Sequence, residues 1–303
     1  MEKISLHGAW RMHQVGCDTW YDAQVPGSVY ADLMRAGAMP DPFWRDNELE
    51  AFQLMKHDWE YVHEFTVEAA ALQHDHVLLR CEGIDTLAHV YLNGATVGYA
   101  DNMHVTWEWD VKNLLHVGGN QLRIVFDSPV NFALDAYEKS PGWCSSDAIP
   151  GYPHIRKVHC MFGWDWGPRL PDAGVWRDID LVLVDDARLD SVLVTQEHGF
   201  AGVTLTLAPE ISRGDAAKCV CDAVILAPDG SVAAATRFAG NEAGQAVIAN
   251  PQLWWPHGYG EQPLYTVRVE LSVDGRVQDV WEKRIGLRTT EISRVKDQWG
   301  EEF

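Results

Sequence analysis

The amino-acid sequence predicts an all-β protein with two consecutive antiparallel sandwiches. Apolar and polar residues alternate with a period of two in many short segments, most clearly from Asp58 to Val67. Turn signals such as Asn93-Gly94, Asp229-Gly230 and Asp274-Gly275 separate these segments. A second set of alternating segments begins around Asp185-Asp186. Because 303 residues suffice for about two domains, we expect one sandwich on each side of this point.

The first sandwich is predicted to be a jelly roll or a related antiparallel fold. Residues 1–27 indicate a short strand followed by irregular chain that ends at Val25-Pro26-Gly27. Ser28 can then N-cap a short helix from Val29 to Ala36. The remaining predicted elements are strands at 58–67, 77–81, 105–111, 122–126 and 179–184, a β-hairpin at 88–98 and a helical stretch at 130–139.

The second sandwich has the proportions of an immunoglobulin-like domain, in which about a hundred residues form seven strands. The sequence has no Cys…Trp…Cys framework, so the likeness concerns the architecture only. After Ile292 no further apolar period is visible. The predicted strands are 188–196, 202–208, 218–226, 231–238, 244–249, 264–273 and 277–286.

Composition and charge exclude several classes of function. The net charge is −20 and the basic residues form no cluster, which argues against nucleic acids and anionic membrane surfaces as partners. The N-terminus lacks the apolar stretch of a signal peptide, and no later apolar run is long enough to span a bilayer, so a cytoplasmic location is expected. The six cysteines lack paired spacing, and Cys219 and Cys221 fit buried apolar positions better than a metal site. We expect neither a metal nor a cofactor.

The segment 140–176, which we call the Trp-rich loop, is the first candidate for a functional site. Its five prolines and five glycines exclude a long helix or a central strand, while its aromatic content argues against disorder. At its centre, Gly163–Arg169 places Asp165 between Trp164 and Trp166. Sugar sites often combine apolar ring faces with a few polar groups. The same composition also fits a structural loop whose tryptophans lie in the core.

A second polar and aromatic loop, residues 39–48, could contribute ligand contacts or cap the sandwich. Asp41 within it and Asp165 are the only acidic residues flanked by aromatic residues in the manner of a sugar-binding site. Glycosidic hydrolysis needs two carboxylates, separated by roughly 5–5.5 Å in retaining enzymes and 6.5–9.5 Å in inverting ones. No such pair can be identified from the sequence, and motifs of nucleotide-binding, zinc-protease and serine-hydrolase sites are absent. The residues alone therefore indicate a protein that contacts carbohydrate without an evident catalytic apparatus.

Several motifs, in order along nearly the whole chain, resemble the β-mannosidases of glycoside hydrolase family 2. The most specific is the run Phe162–Arg169, and the Asn93-Gly94 hairpin and the Trp254-Trp255-Pro256 segment are shared across the family. The full set comprises Asp41–Glu48, Asp58–Tyr61, Val90–Gly94, Ile155–Lys157, Phe162–Arg169, Gly174–Arg177 and Trp254–Tyr265.

This resemblance implies a galactose-binding-like jelly roll over 1–185, an immunoglobulin-like sandwich over 186–288, and a lead-in over 289–303 to a (β/α)₈ barrel that this sequence does not contain. Both catalytic glutamates of the family lie on barrel strands, so none of the residues here is expected to be catalytic. Asn47-Glu48 and Asn241-Glu242 match the family's Asn-Glu dipeptide, but neither ends a barrel strand.

The resemblance also implies a role for the Trp-rich loop in the pocket for a terminal non-reducing mannose. Asp165 is expected to accept hydrogen bonds from sugar hydroxyls, with Trp164 as a wall. Trp166, Arg156, Lys157 and Arg169 are expected to bind substrate less directly or to fix the loop. The implied function is the N-terminal, non-catalytic region of a retaining exo-β-mannosidase, with a β-mannoside and the barrel as partners. The alternatives are a stand-alone lectin-like module and another exo-β-glycosidase of the same family.

Overall fold

The computed structural model describes residues 2–302, and it divides the chain into two compact units, Glu2–Val184 and a second unit from Asp185 onward. Each unit is an antiparallel β-sandwich with its own apolar core. The predicted all-β fold class is thereby confirmed. No helix in the described part of the chain is both long and apolar enough to cross a membrane.

The first unit contains twelve strands and three α-helices among its described residues. Short 3₁₀ helices occur at Ala71–Gln73, Lys112–Leu114, Tyr152–His154 and His159–Phe162. The helices are α1 (Val29–Arg35), α2 (Glu48–Leu54) and α3 (Pro129–Lys139). The strands are β1 (Glu2–Ser5), β2 (Gly8–Gln14), β3 (Trp20–Val25), β4 (Trp59–Val67), β5 (His76–Cys81), β6 (Ile84–Asp85), β7 (Ala88–Leu92), β8 (Ala95–Ala100), β9 (Trp107–Asp110), β10 (Gly118–Phe126), β11 (Gly174–Val175) and β12 (Ile179–Val184).

Two large sheets form the layers of this unit. One has the strand order β1-β12-β5-β9 and the other β3-β2-β4-β10-β7-β8, with every pairing antiparallel. Strand β10 shows why they pack together, since Leu122, Ile124 and Phe126 alternate with less buried residues and face the core. The two-stranded pair of β6 and β11 lies at the base of the Trp-rich loop, because β11 is the end of that loop.

The prediction for the first 27 residues was wrong in part. The stretch between the first strand and Val25 is not irregular but contains β2 and β3, which pair with each other. Trp10 and Met12 face the core and Arg11 between them is exposed, and two apolar positions are too short a pattern to predict a strand. Helix α2 was also not predicted; it begins at Glu48, the end of the second loop.

The strands of the second unit are β13 (Arg188–Gly199), β14 (Gly202–Arg213), β15 (Cys219–Leu226), β16 (Val232–Ala239), β17 (Gly244–Ile248), β18 (Tyr265–Val273), β19 (Arg276–Ile285), β20 (Val295–Lys296) and β21 (Glu301–Glu302). They include a three-stranded sheet, β13-β14-β17, and a four-stranded sheet, β16-β15-β18-β19. Buried residues of both sheets form one core, in which Cys219 and Cys221 lie on the same side of β15 as predicted. A 3₁₀ helix occupies Ala216–Lys218. The role of 289–303 as a lead-in to a barrel stays a prediction.

Candidate functional site

The Trp-rich loop is ordered by side chains of its own that enter the core of the first unit. Ile149, Ile155 and Phe162 are almost completely buried there. Backbone hydrogen bonds connect distant parts of the loop: the Ile149 amide donates to the Phe162 carbonyl at 2.9 Å, and the Leu170 amide to the Met161 carbonyl at 2.8 Å. The loop is therefore a packed structure whose central part is held away from the core.

The central part is a tight turn with Asp165 and Trp166 at its tip. The Gly167 amide donates to the Trp164 carbonyl at 3.3 Å, and the Trp164 amide donates to the Gly167 carbonyl at 3.2 Å. Asp165 is exposed, and the side chains of Trp164 and Trp166 expose 39% and 81% of their surface. Their ring centroids are 5.7 Å apart. A carboxylate and two indoles are thus presented to solvent together, and neither tryptophan is a core residue.

Gly163 and Arg169 support this turn from beneath. Gly163 has a φ of +98°, and a Cβ at this position would lie 2.4 Å from Cγ of Arg169. Only glycine therefore allows the Arg169 side chain to pack across the base of the turn. Nε of Arg169 lies 3.6 Å from Oε1 of Glu48.

This ion pair brings the second candidate loop, residues 39–48, to the same end of the unit as the turn. Within that loop the Asp41 carboxylate accepts a hydrogen bond from the Phe43 amide at 2.9 Å, and the Asn47 side chain donates to the Asp41 carbonyl at 2.8 Å. Phe43 and Trp44 remain exposed on the resulting fold of the chain. Glu48, one of the two residues that matched the family's Asn-Glu dipeptide, serves here as a partner of Arg169.

Arg156 and Lys157 occupy very different environments. Arg156 is exposed, and its carbonyl accepts a hydrogen bond from the Met103 amide at 3.0 Å. Lys157 is only 2% exposed, and its ammonium group pairs with the carboxylate of Asp85 and donates to the Asp172 carbonyl at 2.8 Å. The expectation that Lys157 contacts substrate needs correction, because its amine is enclosed in the protein. Its position fits the other expected role, fixing the loop.

Asp85 and Asp172 are important polar residues that sequence reasoning missed. The Asp172 carboxylate accepts hydrogen bonds from the amides of Tyr30 at 3.1 Å and Ala173 at 2.8 Å. The end of the Trp-rich loop is therefore attached to the first turn of α1. Burial raises the pKa of Asp172 to about 6, although hydrogen bonds from Ser28 and the two amides and the charge of Lys157 oppose this shift. Nothing in the local sequence indicates these contacts.

Comparison with known proteins identifies the family to which this chain belongs. A family model described as "Glycosyl hydrolase 2 galactose-binding domain-like" matches residues 10–177, which is more than half of the chain. The chain belongs to glycosyl hydrolase family 2. A second model, "Glycosyl hydrolases family 2", matches residues 182–288. The predicted order of a galactose-binding-like jelly roll and an immunoglobulin-like sandwich is confirmed.

Within the family, the chain is similar to β-mannosidases. It is 28% identical to the β-mannosidase of Capra hircus over 95% of this chain and 35% of that protein. It is 32% identical to β-mannosidase B of Neosartorya fischeri over 94% of this chain and 35% of that protein. The crystal structure of β-D-mannosidase from Dictyoglomus thermophilum matches all of this chain with a TM-score of 0.92 and 35% identity, and the match covers 38% of that chain. This chain thus spans about a third of the length of these family 2 relatives.

Titration of Asp172 should make the stability of the first family 2 domain depend on pH. Because its pKa is raised to about 6, the folded domain binds this proton more tightly than the unfolded chain, in which aspartate titrates near pH 3.9. The stability that this proton binding contributes is therefore fully present below about pH 4 and is lost as the pH rises through about 6. As the pH rises from about 4 to about 6, wild type should therefore lose about 2 kcal/mol of its free energy of unfolding relative to Asp172→Asn, which has no carboxyl group to titrate at this position. Urea unfolding of the first unit between pH 4 and 7 measures this difference, and parallel curves would contradict the assignment.

Proposed function

We propose that this chain is the N-terminal, non-catalytic region of a retaining exo-β-mannosidase, which removes terminal non-reducing β-D-mannose residues. The observation that carries the proposal is the exposed Asp165 between two indoles, in a chain that is similar throughout to a β-D-mannosidase. A cytoplasmic location and the absence of nucleic-acid partners remain predictions from the sequence.

The chemistry of the turn suits recognition of a sugar. The faces of Trp164 and Trp166 offer apolar surface for the C–H groups of a pyranose ring. The carboxylate of Asp165 can accept hydrogen bonds from two neighbouring hydroxyls. A hydrogen bond to a charged group contributes about 1.5–3 kcal/mol, enough to select a sugar by the position of its hydroxyls. In this proposal Asp165 and Trp164 contact the mannose, Trp166 and Arg156 border the site, and Lys157 fixes the loop.

Hydrolysis itself is assigned to residues outside this chain. A retaining mechanism needs an acid/base carboxyl and a nucleophilic carboxylate roughly 5–5.5 Å apart. The resemblance to family 2 assigns both to a (β/α)₈ barrel, which needs about 250 residues. The chain matched here covers 35% of the length of its curated relatives, which leaves ample length in such proteins for a barrel. The turn would then contribute binding energy to a pocket completed by the barrel.

The isolated 303-residue chain should not hydrolyse aryl β-mannosides. The expected result is a rate indistinguishable from buffer, since binding groups alone supply neither an acid nor a nucleophile. Release of the chromogenic aglycone from rigorously purified protein measures this. Turnover that co-purifies with the chain through several columns would contradict the proposal.

In the full-length enzyme, Asp165→Ala should lower kcat/KM for β-mannosides at least tenfold, corresponding to about 1.5 kcal/mol or more of lost transition-state binding. The thermal unfolding temperature should stay the same, because the side chain is exposed. Asp18→Ala is the matched control, since Asp18 is an exposed aspartate of the same unit outside both candidate loops.

Unchanged kinetics in Asp165→Ala would show that Asp165 does not bind substrate. A panel of aryl glycosides run on the same enzyme tests the sugar. Preference for a β-galactoside or a β-glucosaminide over the β-mannoside would instead favour another exo-β-glycosidase of the family.

A second candidate function is a carbohydrate-binding module that acts by itself, and one observation favours it. A groove of about 590 Å³ crosses the outer face of the six-stranded sheet, and none of its lining residues belongs to the Trp-rich loop. Trp20, Arg11, Arg123 and Glu60 are among the residues that line this groove, so the groove contains an aromatic ring, hydrogen-bond donors and acceptors. Such a mixture suits a neutral, polyhydroxylated ligand.

Calorimetry with the isolated chain separates the two candidates. Half of a composite pocket should bind mannose and β-mannosides too weakly to measure. Dissociation constants in the micromolar range, abolished by Trp20→Ala and unaffected by Asp165→Ala, would establish an independent module.

A further inference from the structure

Lys157 closes one segment of the Trp-rich loop through a side-chain contact. Its ammonium group donates to the carbonyl of Asp172, fifteen residues further along the chain, at 2.8 Å. The segment 157–172 therefore begins and ends at the same place, as in a compact Ω-loop, and Phe162 anchors it to the core in between. The turn with Asp165 and Trp166 lies midway between these two ends, so we call the contact of Lys157 and Asp172 the neck of the loop.

The same ammonium group also attaches the neck to the sheet pair at the base of the loop. Its second partner, the carboxylate of Asp85, lies on β6, where Asp85 is paired with Gly174 of β11. The Thr86 hydroxyl donates to the other oxygen of this carboxylate. Lys157 thus joins three segments that are far apart in sequence: its own, the β6 strand and the chain that leads into β11.

The returning end of the loop is held on its other side by α1 and the chain before it. The Asp172 carboxylate accepts a hydrogen bond from the Tyr30 amide. The Val29 amide donates to the Ala173 carbonyl and the Gly27 amide to the Val175 carbonyl, both at 2.8 Å. The position of residue 172 is therefore determined by the body of the unit. Because Lys157 is bonded to the Asp172 carbonyl, the outgoing end of the loop is fixed relative to residue 172.

The burial of this pair restricts each of its two charges to the other as a partner. The Lys157 side chain has no exposed surface and that of Asp85 only 6%. Neither group can exchange its partner for water without leaving a buried charge uncompensated, whereas the partners of an exposed pair separate at little cost. By comparison, the pair of Arg169 and Glu48 is partly exposed and therefore holds the loop less firmly.

We propose that Lys157, through its buried pairing with Asp85 at the neck, is the positioning residue that determines where Asp165 and Trp164 are presented to the substrate. This proposal rests on the function proposed above. Lys157 touches no sugar itself. It holds the ends of the loop so that the turn is in place before substrate binds, which spares the substrate the cost of ordering it.

The test uses the full-length enzyme with both charges of the pair removed. Lys157→Met alone would leave the Asp85 charge buried, so the informative variant is Lys157→Met/Asp85→Asn, in which residue 85 still accepts from Thr86. The matched control is Arg80→Met/Glu108→Gln, which removes two partly exposed pairs of Arg80 on β5, with Glu108 of β9 (2.9 Å) and with Glu82 (3.2 Å).

Hydrogen exchange followed by mass spectrometry is the first readout. In the neck variant, amides of residues 158–171 should exchange at least tenfold faster, while β4 and β10 keep their protection. The control variant should exchange like wild type throughout. Unchanged exchange in 158–171 of the neck variant, or faster exchange of the whole first unit, would overturn the proposal.

Kinetics are the second readout and separate this proposal from the proposed function. KM for an aryl β-mannoside should rise at least tenfold with kcat changed less than threefold, because the chemical groups remain intact and only binding is impaired. Faster exchange with an unchanged KM would confirm the neck but show that the turn is not part of the substrate pocket. A fall in kcat at constant KM would contradict a positioning role.

Discussion

Burial of one face of each sheet in a shared core is the constraint on which the first unit depends. Several of the longer strands contribute alternate side chains to that core, as Leu122, Ile124 and Phe126 do on β10. The strands are therefore committed to packing, and little of their inner surface can serve another purpose. Functional groups are left to the connections between strands, and the two loops that carry exposed aromatic residues are such connections.

An ordered loop of this length needs a core of its own. Ile149, Ile155 and Phe162 are apolar anchors that join the loop to the sandwich, and the polar neck completes the attachment. The tip then exposes indoles that would otherwise be expected in the interior. With apolar anchors at the base and exposed side chains at the tip, the loop places aromatic surface in solvent without disorder.

The sequence predicts those parts of the structure that depend on local patterns. The period of two predicts β4 and β10, and Asn93-Gly94 predicts the hairpin in which both residues have positive φ, 52° and 81°. It does not predict β2 and β3, because only two residues of each strand, Trp10 and Met12 on β2 and Ala23 and Val25 on β3, alternate into the core. The exposure of Asp165 at the tip agrees with the aromatic pattern around it, but the pattern alone equally allowed a buried loop.

The contacts that fix the loop were not predictable, since they join residues distant in sequence. Asp85 and Lys157 are 72 positions apart, and only the folded topology brings them together. Lysine is rarely buried completely, so its occurrence in a motif of a ligand-binding family favours an exposed, ligand-contacting role. The structure reverses that interpretation for Lys157 but leaves Arg156 at the surface.

The enclosure of Lys157 also affects how the protein responds to chemical modification. Acylating reagents and amine-reactive supports attack accessible, unprotonated amines, and this ammonium group is neither exposed nor free of its carboxylate partner. Lys218, in the second unit, exposes 74% of its side chain and offers a far better point of attachment. Coupling through surface lysines would therefore immobilise the protein by other residues and leave the turn that carries Asp165 in its native position.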